Sequence, residues 1–419
     1  MADQGGRNVR DVRRSNRALL LRHLYFNRQV SRLELSRATG LSPASVSSVV
    51  SELIEAGLVV EAGAVESDGG RPRILLDVDA ARFQAIGVDV GETHVRVERF
   101  DLALNLLERS DIPMSPGHYE PEVVVSGIAA GLAAVGGPRA DTAVGTELLG
   151  IGIGVPGIVV GGSEAVVHCQ TIGWDAVPLA ALLRDVTDLP LFIENGANTM
   201  GQAEMWFGAG RGASDSLFLL IGSGIGASVL VGGVSYRGSS TGAGEWGHVT
   251  AEIGGRQCRC GARGCLEAYI GAESVIARYT EATGTASGVA ALDEQAALLQ
   301  ILEAGRDQSS PAGRAARAVL DQTARYLGVG IGNLVNLFNP ERVIVGGWAG
   351  LLLSQELLPA VREAAREHSL RYPFSQTTIE LGRLGPDAVA RGAATLPVAR
   401  FLSSGGSRAT RSPYIESRL

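Results

Sequence analysis

Three of the chain's four cysteines fall within eight residues, Cys258-Arg259-Cys260 and then Cys265, and His248 stands ten positions before the first of them. Thiolates and one imidazole at this spacing suit a tetrahedral divalent cation, and Zn2+ in a structural site is the ion such a set takes. Gly261 and Gly264 let the backbone turn tightly within the cluster. A disulfide hairpin is the alternative reading. It asks for an oxidising compartment, and the N-terminus carries no apolar signal segment. The remaining cysteine, Cys169, is far off in sequence and reads as a small buried apolar residue.

Four strand-then-glycine units surround this cluster in sequence: Gln84–Gly91, Gly150–Gly157, Leu217–Gly226 and Arg342–Gly347. Glycines directly after buried strands let backbone N–H groups approach a phosphate or a sugar. Each unit alone is weak in a chain with 56 glycines. Four of them, in two halves that each open on paired strands, predict a duplicated lobe around a cleft. Thr93–Phe100 and Leu102–Arg109 are the expected partner strands of the first half. A helical stretch at 312–338, apolar at Leu320, Leu327, Ile331, Leu334 and Leu337, reads as a core helix or as a dimer face.

At 419 residues, with 45% hydrophobic and 19% charged content, the chain can bury two or three cores. No apolar run reaches membrane-spanning length, so a cytoplasmic protein without a membrane partner is expected. The net charge of −7 hides an asymmetry: residues 1–50 carry nine arginines against Asp3, Asp11 and Glu34, which leaves −13 for the rest. A basic head on an acidic body is the footprint of a nucleic-acid-binding module joined to something else.

The head has the matching pattern. Arg13–Asn27 places Leu19, Leu20, Leu24 and Phe26 near helical spacing. Ser31 with Glu34 three residues on predicts a capping box that opens a second helix, and Gly40 ends it. Ser42 then caps a third helix with Pro43 at its first position, running to Gly57. Helix, short glycine turn, helix is the helix-turn-helix arrangement. With Val46, Val49 and Val50 turned inward, Ser42, Pro43, Ala44, Ser45, Ser47 and Ser48 are left to meet a major groove. Leu58–Glu61 and Ile74–Asp77 read as wing strands, with Gly69-Gly70-Arg71-Pro72-Arg73 at the tip. Arg71 and Arg73 suit a narrow minor groove, whose negative potential attracts guanidinium groups. A helical bundle used for dimerisation is the other reading of this segment.

Gly242-Ala243-Gly244-Glu245-Trp246-Gly247-His248, followed by the Cys258–Glu267 motif, resembles the signature of the ROK family of sugar kinases and sugar-responsive repressors. The resemblance covers residues 83–400 and, with the head in front, points to the repressor branch. It implies an α/β chain: an N-terminal winged helix-turn-helix (1–80), then a two-lobed actin/hexokinase-like, ribonuclease H-like ROK domain. The lobes would be 83–193 plus 382–400, and 194–381, with 401–419 and residues 1–12 as flexible ends. It further implies zinc ligands at His248, Cys258, Cys260 and Cys265, and sugar-hydroxyl contacts from Asn195, Glu245, His248 and Glu267. Trp174 matches a family aromatic near the sugar, with core packing as its other reading.

The departures from the family pattern bear on activity. Kinases of the family carry Glu-Asn-Asp-Ala-Asn, whose Asp is the base for the attacking hydroxyl, and here Gly196 stands in that place. Glu92 and His94 replace a Gly and a Lys of the first phosphate loop, and Thr171 replaces an Asn; Asp89 remains. The expectation is a regulator without catalytic residues that binds a double-stranded DNA operator and a sugar or sugar derivative, as a homodimer or homotetramer. An ATP-dependent sugar kinase with an accessory DNA module, and a zinc-stapled scaffold that binds DNA constitutively, are the alternatives.

Overall fold

The computed structural model describes residues 9–67, 70–114, 117, 119–137, 146–161, 164–284 and 288–408. The N-terminal module consists of α1 (Val9–Asn27), β1 (Val30–Ser31), α2 (Arg32–Thr39), α3 (Pro43–Glu55), β2 (Val59–Ser67) and β3 (Gly70–Val78). The capping box is present: Ser31 Oγ accepts from Glu34 N, and Glu34 accepts from the Ser31 backbone N–H at 2.8 Å. Gly40, at φ +72°, supplies the left-handed turn, and Ser42 caps α3. Val46, Val49, Val50 and Leu53 are buried.

The module departs from expectation in three places. Helix α1 starts at Val9, so part of the expected N-terminal arm is helical, and residues 1–8 lie outside the described residues. Its buried stripe is Leu20, Leu21, Leu24 and Tyr25, while Leu19 is exposed, because α1 packs against the body as well as against α3. The wing strands are longer than predicted, and Gly70–Arg73 belongs to β3. Pro72 is tolerated there because only β2 pairs with that end of β3, and β1 reaches only Leu75 and Leu76. Gly69 and the Arg71 side chain lie outside the described residues; Arg73 is exposed.

The body is built twice. First come β4 (Phe83–Val90), β5 (His94–Asp101), β6 (Leu106–Pro113), α4 (Pro121–Ala134), β7 (Glu147–Val155), β8 (Ile158–Val160), β9 (Val166–Cys169), β10 (Trp174–Val177), α5 (Leu179–Leu182) and β11 (Leu191–Asn195). Then follow α6 (Gly196–Phe207), β12 (Ser216–Ile221), β13 (Ile225–Val231), β14 (Val234–Ser235), α7 (Glu267–Ile270), α8 (Ala272–Thr283), α9 (Glu294–Ala304), α10 (Pro311–Phe338), β15 (Arg342–Gly346), α11 (Trp348–Glu367), α12 (Arg371–Gln376), β16 (Thr378–Leu381) and α13 (Ala388–Ser403). The two five-stranded sheets run β6-β5-β4-β7-β11 and β14-β13-β12-β15-β16. In each, three consecutive antiparallel strands are followed by two parallel ones. This is the duplicated actin/hexokinase-like arrangement. Strand β6 begins four residues later than expected because Asp101 Oδ1 accepts from Asn105 N at 2.9 Å and holds a turn, with Leu104 at φ +59°.

Helices α6 and α13 follow the last strand of each sheet and pack against each other, and α13 also covers β4 and β7. The approach is close: a Cβ on Gly152 would lie 1.8 Å from Ala393 O, and one on Gly392 would lie 1.9 Å from Thr199 O. Within α10, Leu320, Leu327, Ile331 and Leu334 are core, whereas Leu337 is 75% exposed. Among the described residues no helix is long and apolar enough to cross a membrane.

The module and the body share one hydrophobic cluster. Leu20, Leu21, Leu24 and Tyr25 of α1 pack with Phe83, Phe100, Trp206, Phe401 and Leu402. Trp206 meets Phe26 and Tyr25 edge-on at 5.0 and 5.8 Å. Residues 401–408, expected in the flexible tail, belong to this joint: α13 runs to Ser403, and Arg17 Nε donates to Gly405 O at 2.5 Å. Residues 409–419 lie outside the described residues.

Candidate functional site: a cleft beside a cysteine knuckle

All four strand–glycine units open onto one cleft of about 420 Å³ between the two sheets, which they line with Gly91, Gly157, Gly222, Gly224, Gly226 and Gly347. Asn195, Glu245, His248 and Glu267 line the same cleft, so the structure brings together the four residues expected to contact sugar hydroxyls. Asp89, Glu92, His94, Thr171 and Gly196 line it too.

Each of the four side chains is held by its element. Asn195 ends β11 and caps α6: its Oδ1 accepts from Ala197 N at 2.8 Å and Asn198 N at 3.2 Å, and its Nδ2 donates to Gly157 O at 2.7 Å. One N–H remains for a ligand. Glu267 opens α7, is 3% exposed, and accepts from Ile225 N at 3.0 Å. Burial pushes the Glu245 carboxyl above its ordinary range, and the nearby Glu267 adds to this against the opposing pull of His248. A carboxyl held in this way gains from hydroxyl donors that satisfy its charged form.

His248 faces two ways. Its Nδ1 lies 3.7 Å from Cys258 Sγ, and its Nε2 lies 4.0 Å from Glu245 Oε2. Cys260 Sγ and Cys265 Sγ are also 3.7 Å apart, and one ligand atom from each of these four residues lies within 4.8 Å of the others. Four donors around a tetrahedral ion with bonds of about 2.0–2.3 Å stand roughly 3.3–3.8 Å apart; two pairs already have that spacing, and the rest of the cluster lies close enough to draw in around such an ion. All four cysteines are free, and the disulfide reading has no bond here. Burial pushes the Cys258 and Cys265 thiols up, so their thiolates need a cation beside them. The set can hold a metal.

Trp174 is not part of the cleft lining. It is 2% exposed, packs in the core of the first sheet, and donates from Nε1 to Tyr119 O at 2.9 Å. Cys169 is buried as expected, 3.2 Å from Thr171 Oγ1. Sequence reasoning missed His168, Gln170 and Trp348, which line the cleft, and Arg259, which reaches Glu92 across it. Only Arg259 carried a signal, its place between two cysteines. In the module, Pro43, Ala44, Ser47 and Ser48 are exposed on α3, while the Ser42 hydroxyl is engaged as a cap with Ser45 N at 3.2 Å.

Comparison with known proteins agrees with both parts. The winged helix-turn-helix DNA-binding model matches residues 15–60, and the ROK family model matches residues 85–399. The xylose repressor of Caldicellulosiruptor bescii is 30% identical over 94% of this chain and 97% of its own length. The glucokinase of Halalkalibacterium halodurans is 31% identical over 72% of this chain and 91% of its own. A solved ROK family transcriptional regulator, a homologue of the E. coli Mlc protein, superposes with a TM-score of 0.74 over 94% of this chain and 98% of its own; at 23% identity it speaks for the fold alone. A duplicated sheet, a glycine-lined cleft beside a cluster of one histidine and three cysteines, and a winged helix in front thus have one common explanation: the chain belongs to the ROK family.

Proposed function

We propose that this chain is a sugar-responsive DNA-binding transcriptional repressor whose ROK domain binds a sugar without phosphorylating it. One observation carries the reading: a winged helix-turn-helix shares its core with a two-lobed body whose cleft gathers the sugar-type residues around a glycine at 196. Residues 1–80 form the DNA-binding part and 83–400 the sensor, with lobes 83–193 plus 382–400, and 194–381. Asn195, Glu245, His248 and Glu267 hold sugar hydroxyls, the carboxylates accepting from adjacent O–H groups. Zn2+ is the ion of the His248, Cys258, Cys260 and Cys265 set. With an ion held by these four residues, the knuckle would be stiffened and His248 would be fixed in tautomer and orientation. The chain has no catalytic residues. At Gly196 a Cβ would meet nothing closer than 3.7 Å, so packing does not enforce the glycine; a general base is missing where there is room for one. Loss of such a base costs about 10²–10⁴-fold in rate.

Asn195, Glu245, His248 and Glu267 belong to the 194–381 lobe and face a wall of the other lobe that includes Asp89 and Gly157, so a sugar filling the cleft favours one lobe angle over the other. Helix α6, of the second lobe, touches α1 through Trp206, and α13, packed on the first, also packs against α1. A change in lobe angle therefore moves the two supports of the DNA-binding module. Ser42, Pro43, Ala44, Ser45, Ser47 and Ser48 meet the major groove of a double-stranded operator, and Arg71 and Arg73 of the wing meet the minor groove. A homodimer or homotetramer presents two modules to two half-sites, whose spacing follows the protein.

The second reading, an ATP-dependent sugar kinase, draws on the glucokinase relative and on Asp89 in the cleft. ADP release with Mg-ATP and a panel of pentoses and hexoses separates the two. The regulator gives no sugar-dependent ADP. Sugar-dependent ADP that disappears in Glu245→Ala would make the chain a kinase.

A further inference from the structure

An ion pair crosses the cleft between the lobes. Glu92 sits on the turn between β4 and β5, and Arg259 lies between Cys258 and Cys260 on the knuckle of the other lobe. The guanidinium holds both oxygens of Glu92, Nη1 on Oε2 and Nη2 on Oε1, the latter at 3.1 Å. The same group reaches Glu267 Oε1 at 3.5 Å and Glu273 Oε2 at 3.3 Å. The pair faces the glycine loop after β12. A Cβ on Gly224 would lie 2.9 Å from Glu92 Oε1, 3.3 Å from Glu267 Oε2 and 3.4 Å from Arg259 Nη2. The cation nearest that loop is therefore already capped by a carboxylate.

The rest of the lining offers no fixed positive charge. Asp89, Glu92, Glu245 and Glu267 line it beside His94, His168 and His248, and among the described residues no arginine does; the chain has no lysine at all. A phosphate group needs a guanidinium, an ammonium or free backbone N–H groups, and it is repelled by carboxylates at close range. Here it would have to displace a two-point, charge-assisted pair and then sit among the displaced acids. A hydroxyl, by contrast, donates to each of them.

We propose that Glu92 is a specificity-determining residue: by occupying Arg259 it makes the cleft select an uncharged sugar and reject the phosphate ester of that sugar. This rests on the sugar-binding reading of the cleft, but its direct test does not require a sugar. Because the pair spans the lobes, it also fills the position at which a bound anion would otherwise join them.

The test measures binding of inorganic phosphate, D-glucose and glucose 6-phosphate to the natural chain and to Glu92→Gln and Glu92→Gly, by calorimetry and thermal shift. Both substitutions remove the carboxylate, one keeping its bulk and the other opening the loop, so a folding defect in one leaves the other to decide. Inorganic phosphate should bind at least tenfold more tightly to the variants than to the natural chain. The gain should vanish when Arg259→Gln is added to Glu92→Gln. Equal phosphate affinity in the natural chain and in every cooperatively melting variant would overturn the proposal. If none of the panel of pentoses and hexoses binds the natural chain while the phosphate gain persists, the sugar reading fails and the role of Glu92 stands.

Discussion

His248 divides its two ring nitrogens between the cysteine cluster and the cleft, so on the proposed reading metal and sugar would meet on one side chain. Structural metal sites contribute folding free energy directly, and their ligands orient what lies behind them. Cys260→Ser removes one donor while leaving the buried Cys258 and Cys265 in place. Elemental analysis should find about one zinc per natural chain and much less in the variant, whose melting temperature should fall by several degrees. A variant that melts like the natural chain with full metal content would remove the ion from this account. At the neighbouring carboxylate, Glu245→Ala should weaken sugar binding at least tenfold in calorimetry and leave DNA affinity without sugar unchanged; equal sugar affinity would take Glu245 out of the site. Much of this scale was legible in the sequence. Spacing marked the cysteine set, and a motif marked Glu245, His248 and Glu267. The Glu92–Arg259 pair was not legible, because its partners lie 167 positions apart and only the folded cleft brings them together. Nor was the commitment of Asn195 to helix capping, which depends on where β11 stops.

Helix α6 links the two ends of the molecule. Its cap is Asn195 in the cleft, and Trp206, eleven residues on and about 16 Å away at 1.5 Å per residue, packs on α1. Each edge-on aromatic contact there contributes about 0.5–1.5 kcal/mol beyond burial, enough for the module to follow the helix. Trp206→Leu keeps an apolar side chain but loses both ring contacts. It should retain sugar binding by calorimetry while the sugar-induced change in DNA affinity shrinks toward unity; an undiminished change would place the coupling elsewhere. Gly392→Ala tests the α6–α13 crossing itself. Its methyl would press on Thr199 O, and overpacking of this kind costs about 1–3 kcal/mol, measurable by denaturant unfolding. Local rules predicted the capping box, the Gly40 turn and α3 closely. They placed the wing strands short and released residues 401–408 to solvent, because strand length and the docking of Phe401 depend on partners distant in sequence.

At the scale of the whole chain, a basic head is joined through one apolar core to an acidic body built around a cleft. A hydrophobic joint of this kind makes module and body move together, unlike two domains on a loose linker. Coupling between two such sites typically changes affinity by about 5–150-fold. The decisive measurement is duplex affinity, by fluorescence anisotropy, for a DNA sequence selected by this protein from a random library, with and without each uncharged sugar that calorimetry shows to bind. The account predicts that at least one sugar weakens duplex binding tenfold or more while no ADP is formed in the presence of Mg-ATP. Duplex affinity unmoved by every sugar that occupies the cleft would contradict it.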